Sequence, residues 1–250
     1  MNPMERFQVF AHSFANWIWR GDGAHTPWVR RALAIVFAFL VPIPILLILL
    51  FRFAPVPGTP QMLTWLIVGD PVHYQWVSYE DISPALGRAV IGSEDQNFCK
   101  HHGFDWKSID KALKANKRGR PLRGASTISQ QVARTMFLLP VRSWVRKGVE
   151  AYLTVLIEAL WPKKRILTAY LNLVDWGHGN FGAEAASQAY FHKPASRLTS
   201  AEAARLAAVL PDPEKWHADT PGPYVAGRTD TIVARMGEVT RDDLDSCVRK

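Results

Sequence analysis

Twenty consecutive residues, Ala32 to Phe51, carry no charge, and Arg30, Arg31 and Arg52 close the run at its two ends. A helix of that length rises about 30 Å, the thickness of a bilayer's hydrocarbon core. In lipid each backbone N–H and C=O must be satisfied within the segment, so the run is expected to cross a membrane once, as a helix. Pro42 and Pro44 lie inside it and predict a kink. A cleaved signal peptide fits poorly: 31 residues precede the run, and the exit Phe51-Arg52-Phe53-Ala54-Pro55 offers no small-x-small cleavage site. Arg6, Arg20, Arg30 and Arg31 precede the span, whereas residues 52–90 carry only Arg52 and Arg88. The basic flank tends to stay in the cytoplasm, so residues 1–31 are expected to form a cytoplasmic tail, with the bulk of the chain outside.

The chain after the span is long enough for one domain with a sizeable core. Residues 52–73, with prolines at 55, 57, 60 and 71, read as a stalk, and Tyr74 to Tyr79 as a short β-like run. From Ser83 onward the pattern is helical. Ile82, Leu86, Val90 and Ile91 recur at helix spacing, and residues 144–160 place Val145, Val149, Tyr152, Leu153, Leu156, Ile157 and Leu160 on one face before Pro162. Further helices are expected over Lys164–Leu173, Ala183–Phe191 and Ser200–Leu210, the last with Ser200 as a possible N-cap. The domain, residues 74–250, is therefore mainly α. Cys99 and Cys247 are too few for a disulfide framework, and Cys99 reads as a packing residue.

Charge is concentrated. Residues 100–165 hold 15 Lys and Arg against the four acids Asp105, Asp110, Glu150 and Glu158, in a chain whose net charge is +8. Nucleic acid is the usual partner of such a patch, but a domain beyond a membrane fits anionic lipid or a diphosphate better. Ser126, Gln130 and Arg134 are spaced by four, and so are Arg142, Arg146 and Glu150, so each set lines one helix face. Ser126 and Thr127 look like the start of a helix whose exposed N–H groups suit an anionic oxygen. Glu94 ends an apolar helical stretch. A carboxylate packed into a partly dry cleft there becomes a stronger base.

Four segments carry a resemblance. Residues 94–103 fit EDxxFxxHxG, 124–131 fit GxSTIxQQ, 146–150 fit RKxxE and 163–172 fit KxxILxxYLN. Together they resemble the motifs of the peptidoglycan glycosyltransferases. These are lysozyme-like, mainly α enzymes, monofunctional or joined to penicillin-binding proteins, that polymerise lipid II into glycan strands. The similarity covers roughly residues 74–215. Ala125 stands where many members have a second glycine.

The resemblance implies a single-pass enzyme of the bacterial inner membrane, its catalytic domain periplasmic. It would join lipid II to a growing strand, alongside the bilayer and other cell-wall synthesis proteins, with no nucleic acid. It implies Glu94 as general base, with Asp95 in support, and Glu150 as a second catalytic acid near the donor. Glu150 would hold the diphosphate through a divalent cation, Mg²⁺ or Mn²⁺, or orient a neighbouring arginine. Ser126, Gln130, Arg134, Arg142, Arg146, Lys147, Lys163 and Asn172 are the implied substrate-binding residues, the arginines being suited to bidentate contact with diphosphate oxygens. His101 reads as fixing the motif loop. Peptide cross-linking by this chain is not expected, since Lys-Thr-Gly is absent and the one Ser-x-x-Lys, Ser108 to Lys111, falls inside the glycosyltransferase block. Two rivals are a glycan-cleaving hydrolase of related fold and a membrane scaffold. The basic run 134–147 argues against the first, because a neutral polymer needs no diphosphate clamp. The joint fit of all the motifs argues against the second.

Overall fold

The computed structural model describes residues 27–117, 126–141 and 143–249. It divides into two units at Leu50/Phe51. The first contains α1 (Pro27–Leu40) and most of α2 (Pro42–Phe51), with Arg31–Phe51 long and apolar enough to cross a membrane. The break falls at Val41, immediately before Pro42, where the kink was expected. Val41 still donates to Phe37 O at 2.9 Å, so the missing proline N–H groups interrupt the helix without ending it. Leu33, Ile35, Val36, Phe39, Leu46 and Leu50 are exposed. The helix thus presents an apolar surface along most of its length.

The second unit departs from expectation at its start. The segment expected as a stalk contains α3 (Pro60–Val68), started by Thr59, whose side chain accepts from Met62 N, and stopped by Gly69 at φ 87°. Gln61 Nε2 donates to Asp175 Oδ2 at 2.8 Å, and Trp65 meets the Phe181 ring edge-on. The stretch before α3 is also held. Arg165 Nε donates to Phe51 O at 2.9 Å and the Tyr74 hydroxyl donates to Val56 O. Residues 52–73 therefore belong to the domain, a correction to the stalk, because α3 buries Met62 and needs a core to bury it in. The β-like run is shorter than its composition suggested. Only β1 (His73–Tyr74) pairs, in parallel, with β2 (Asn180–Phe181).

Among the described residues, nine α-helices of the second unit include two packed groups. In one, α4 (Pro84–Glu94) packs against α10 (Ser200–Val209) and α11 (Pro223–Arg241), and these two pack on each other. Leu86, Val90 and Ile91 are fully buried, as their spacing required, and Ser83 caps α4 with Pro84 at its first position. In the other group α6 (Ile128–Phe137) packs against α7 (Trp144–Leu160) and α8 (Lys163–Leu173). The short helices α5 (Trp106–Lys117) and α9 (Ala183–Phe191) complete the unit, with α3. The Ser200 cap is corrected: Thr199 is the N-cap of α10, paired reciprocally with Glu202.

The bounds of α7 agree with its periodicity, but its buried face does not. Val145 is 78% exposed, Tyr152 is on the surface, and the buried stripe is Glu150, Leu153, Thr154 and Ile157. A charged residue occupies a position that hydropathy alone assigns to solvent.

Candidate active site

Glu94 is the last residue of α4, and its side chain is 19% exposed. The chain turns sharply after it, with Asp95 at φ −156°. Backbone bonds close the turn, Phe98 N–H to Asp95 O at 3.0 Å and Lys100 N–H to Asn97 O at 2.7 Å, and side chains tie it to the rest of the domain. His101 Nε2 lies 3.0 Å from both Asp95 carboxylate oxygens, and Asp95 Oδ2 accepts Ile128 N–H at 3.0 Å. Asp95 thus joins its own loop to the first turn of α6, a favourable place for a carboxylate. His101 fixes the loop as expected. Asn97 donates to Asp105 at 2.8 Å; burial, the largest single influence, pushes the Asp105 carboxyl up, but the hydrogen bonds from Asn97 and Ser108 together outweigh it and hold the carboxyl down at about 2. Gly103, the last fixed position of the motif, has φ 90°, and a Cβ there would lie 2.9 Å from Thr154 Cγ2. Only glycine lets this loop lie against α7.

Thr127 caps α6, forming a capping box with Gln130, and its hydroxyl donates to Gly103 O at 2.6 Å. The helix therefore starts one residue after Thr127, which changes the reading of GxSTIxQQ. Gln130 is 5% exposed and its Oε1 accepts Thr127 N–H, so it builds the cap and is not presented to substrate. Gln131 is the glutamine that reaches the acid, its Nε2 donating to Glu94 Oε2 at 2.9 Å. The Tyr170 hydroxyl, 3.4 Å from Gln131 Oε1, orients that amide. Burial, and then the nearby Glu94 charge, push the Tyr170 phenol well above 10, so it remains a donor. From the far side, Arg228 Nη2 lies 3.8 Å from Glu94 Oε1.

Glu94, Asp95, Ser126, Lys111 and Arg235 line one cavity of about 500 Å³. Gln131, Tyr170 and Arg134 line a second, of about 170 Å³, with Asp175 in its wall. Burial, the largest influence on it, raises the Asp175 carboxyl to about 6. Ser126 is thus brought together with Glu94, although it precedes the helix and shares no helical face with Gln130 or Arg134.

The remaining expected residues are distributed. Glu150 is 1% exposed; its Oε2 accepts a hydrogen bond from Arg146 Nη1 at 2.8 Å and its Oε1 accepts one from Lys147 Nζ. One carboxylate against two cations leaves a single net positive charge there. Arg146 Nε is buried with no partner among the described residues. Lys163 donates to Glu158 at 2.7 Å and lies 4.5 Å from the Phe98 ring centre, while Ser129 also donates to Glu158. Asn172 is corrected: it is fully buried and does not reach a cavity. Its amide accepts Val77 N–H at 2.8 Å and donates to Val77 O at 3.0 Å, taking the place of a neighbouring strand. Arg142 lies outside the described residues.

A divalent cation at Glu150 does not fit this arrangement. Both carboxylate oxygens are already taken by cations, and no group of three or more His, Cys, Asp or Glu side chains that could hold an ion converges among the described residues. Glu150 is placed to orient Arg146 and Lys147 instead.

Sequence reasoning missed Gln131, Tyr170 and Arg228. The two adjacent glutamines of the motif signalled the first, but only the helix start decides which one faces Glu94. Arg228 lies 134 residues from its partner in an unremarkable stretch, with no local signal.

An acid at a helix end beside a cavity that Lys111 and Arg235 also line fits an enzyme better than a scaffold. The transglycosylase family matches residues 61–237. The biosynthetic peptidoglycan transglycosylase of Caulobacter vibrioides is 49% identical over 220 residues, covering 88% of this chain and 96% of its own. That of Rhodospirillum centenum is 48% identical over 223 residues, covering 89% and 96%. That of Chromohalobacter salexigens is 50% identical over 222 residues, covering 85% and 94%. The chain belongs to the transglycosylase family.

Proposed function

We propose that this chain polymerises lipid II into β-1,4-linked glycan strands of peptidoglycan by inverting glycosyl transfer, releasing undecaprenyl diphosphate. The observation that carries this reading is Glu94 held at the wall of the larger cavity by Gln131, with Arg228 behind it. Glu94 takes the proton of the acceptor sugar's 4-hydroxyl as that oxygen bonds to the donor's anomeric carbon. The bond from that carbon to the diphosphate breaks, and the diphosphate leaves with the electron pair. Such a leaving group needs positive charge more than a proton. Arg134, Arg142, Arg146 and Lys147 supply it, and Glu150 keeps Arg146 and Lys147 in place. The buried Nε–H of Arg146, without a partner among the described residues, is a donor suited to a phosphoryl oxygen.

The domain works on the periplasmic side of the bacterial inner membrane, anchored by residues 32–51 with residues 1–31 in the cytoplasm. The basic flank supports this orientation. So does the disulfide between Cys99 and Cys247, since such bonds persist in oxidising compartments. Incubation of the purified chain with lipid II and, separately, with finished glycan tests the reaction. Polymer from the first and no cleavage of the second is expected. Glu94→Gln keeps the size and the contact with Gln131 but removes the proton acceptor, and should lower polymerisation by about 10²–10⁴-fold in a folded protein. Near wild-type turnover by that variant would remove Glu94 as the base.

A further inference from the structure

The expectation that Cys99 merely packs is overturned by its disulfide to Cys247, across 148 residues of sequence. Cys99 sits in the single 3₁₀ turn Phe98–Lys100, between Asp95 and His101. Cys247 lies in the run of turns after α11, beyond residue 237, where the family match stops. That run is not loosely attached. Leu244 and Val248 are buried, and Asp245 is 4% exposed. Asp245 Oδ2 accepts Arg88 Nε at 3.1 Å, and Arg88 stands on α4 six residues before Glu94. Arg249 Nε approaches Asp245 Oδ1 at 3.4 Å. The segment therefore grips the motif on both sides of Glu94, through α4 before it and through the 98–100 turn after it.

We propose that residues 242–249 are a positioning element for Glu94, locked in place by oxidation of Cys99 and Cys247. This rests on the reading of Glu94 as the base. Gln131 and Arg228 engage the Glu94 carboxylate itself, but the backbone that presents it is a helix end, and an error of about 1 Å in a catalytic group can cost on the order of 100-fold in rate. Asp95, Asn97 and His101 hold the turn from inside the motif; the disulfide holds it from outside. In forming the lock the two thiols lose two protons and two electrons to a disulfide-bearing oxidant, a protein or small molecule, which departs as two thiols while the Cys99–Cys247 bond forms. Reducing cytoplasm leaves the pair open, so full activity arrives with exposure of the domain to an oxidising compartment.

The test uses the full chain in detergent with lipid II. Mass spectrometry after thiol alkylation, with and without dithiothreitol, reports the bond. Turnover and KM are then measured for oxidised, reduced and reoxidised wild type and for the Cys99→Ser/Cys247→Ser double variant, at a temperature where circular dichroism shows each one folded. Reduction should lower kcat by about 10-fold with KM changed less than about twofold, as expected when a catalytic group is displaced and substrate contacts remain. Oxidised glutathione should restore the rate, and the double variant should be slow and indifferent to dithiothreitol. Equal kcat for folded oxidised and reduced enzyme would overturn the proposal, as would two freely alkylated cysteines in protein purified without reductant. A wild type that makes no polymer in the oxidised form would instead refute the proposed reaction.

Discussion

Asp95→Asn isolates the contact that joins the catalytic loop to α6. The Asp95 side chain is 3% exposed, and it receives His101 Nε2 at 3.0 Å and Ile128 N–H at 3.0 Å. Asparagine keeps one oxygen for Ile128, but exchanging a charged acceptor for a neutral one there costs about 1 kcal/mol. The other half of the amide is a donor facing His101 Nε2. To accept from it, the ring must move its proton to Nδ1, and Nδ1 is buried without a partner among the described residues. A buried unpaired donor costs a further 1–3 kcal/mol or so. The sum is about 2–4 kcal/mol, and at roughly 2–4 °C per kcal/mol for a domain of this size the melting temperature should fall by about 5–15 °C. Circular dichroism of the detergent-solubilised full chain measures it. Asp95→Ala should fall further, because Ile128 N–H then loses its partner as well. A drop of less than about 2 °C for Asp95→Asn would mean that the hydrogen bonds of Asp95 to His101 and Ile128 are not what holds the loop.

Gly103→Ala should destabilise the domain by about 1–3 kcal/mol in urea titration, since φ is 90° and the new methyl meets Thr154 Cγ2 at 2.9 Å. A neutral result would mean that α7 gives way at no cost. Asp175 supplies a pH test. Its carboxyl is raised from 3.8 to about 6, so the folded chain holds that proton more tightly than the unfolded one. Its contribution is fully present below about pH 4 and is lost as pH rises through about 6, a change of at most about 3 kcal/mol that partial exposure reduces. Asp175→Asn should therefore match wild type near pH 4 and gain about 1–2 kcal/mol relative to it near pH 7, and parallel stability curves across that range would refute the burial argument.

Much of this fold was legible because its signals are local. The apolar run, the spacing of Leu86, Val90 and Ile91, and the length of α7 each follow from residues within a few turns. The errors share a different cause. Val145 and Glu150 exchanged the exposures that hydropathy gave them, because a buried carboxylate with Arg146 and Lys147 on its two oxygens no longer behaves as a solvated charge. Residues 60–68 looked like part of a proline-rich connector until the partner of Gln61, Asp175, came from 114 residues away. The site divides in the same manner. Glu94 and Asp95 were readable from their motif, but the choice between Gln130 and Gln131 depended on where a helix begins. The lock on Cys99 depended on a segment 148 residues later. A motif identifies the acid; what aims it comes from α6, α8, α11 and the turns beyond α11, which approach Glu94 from separate directions. That division is why stability and turnover should come apart: changes at Asp95 or Gly103 loosen the loop, whereas Glu94→Gln leaves the loop standing and removes the base.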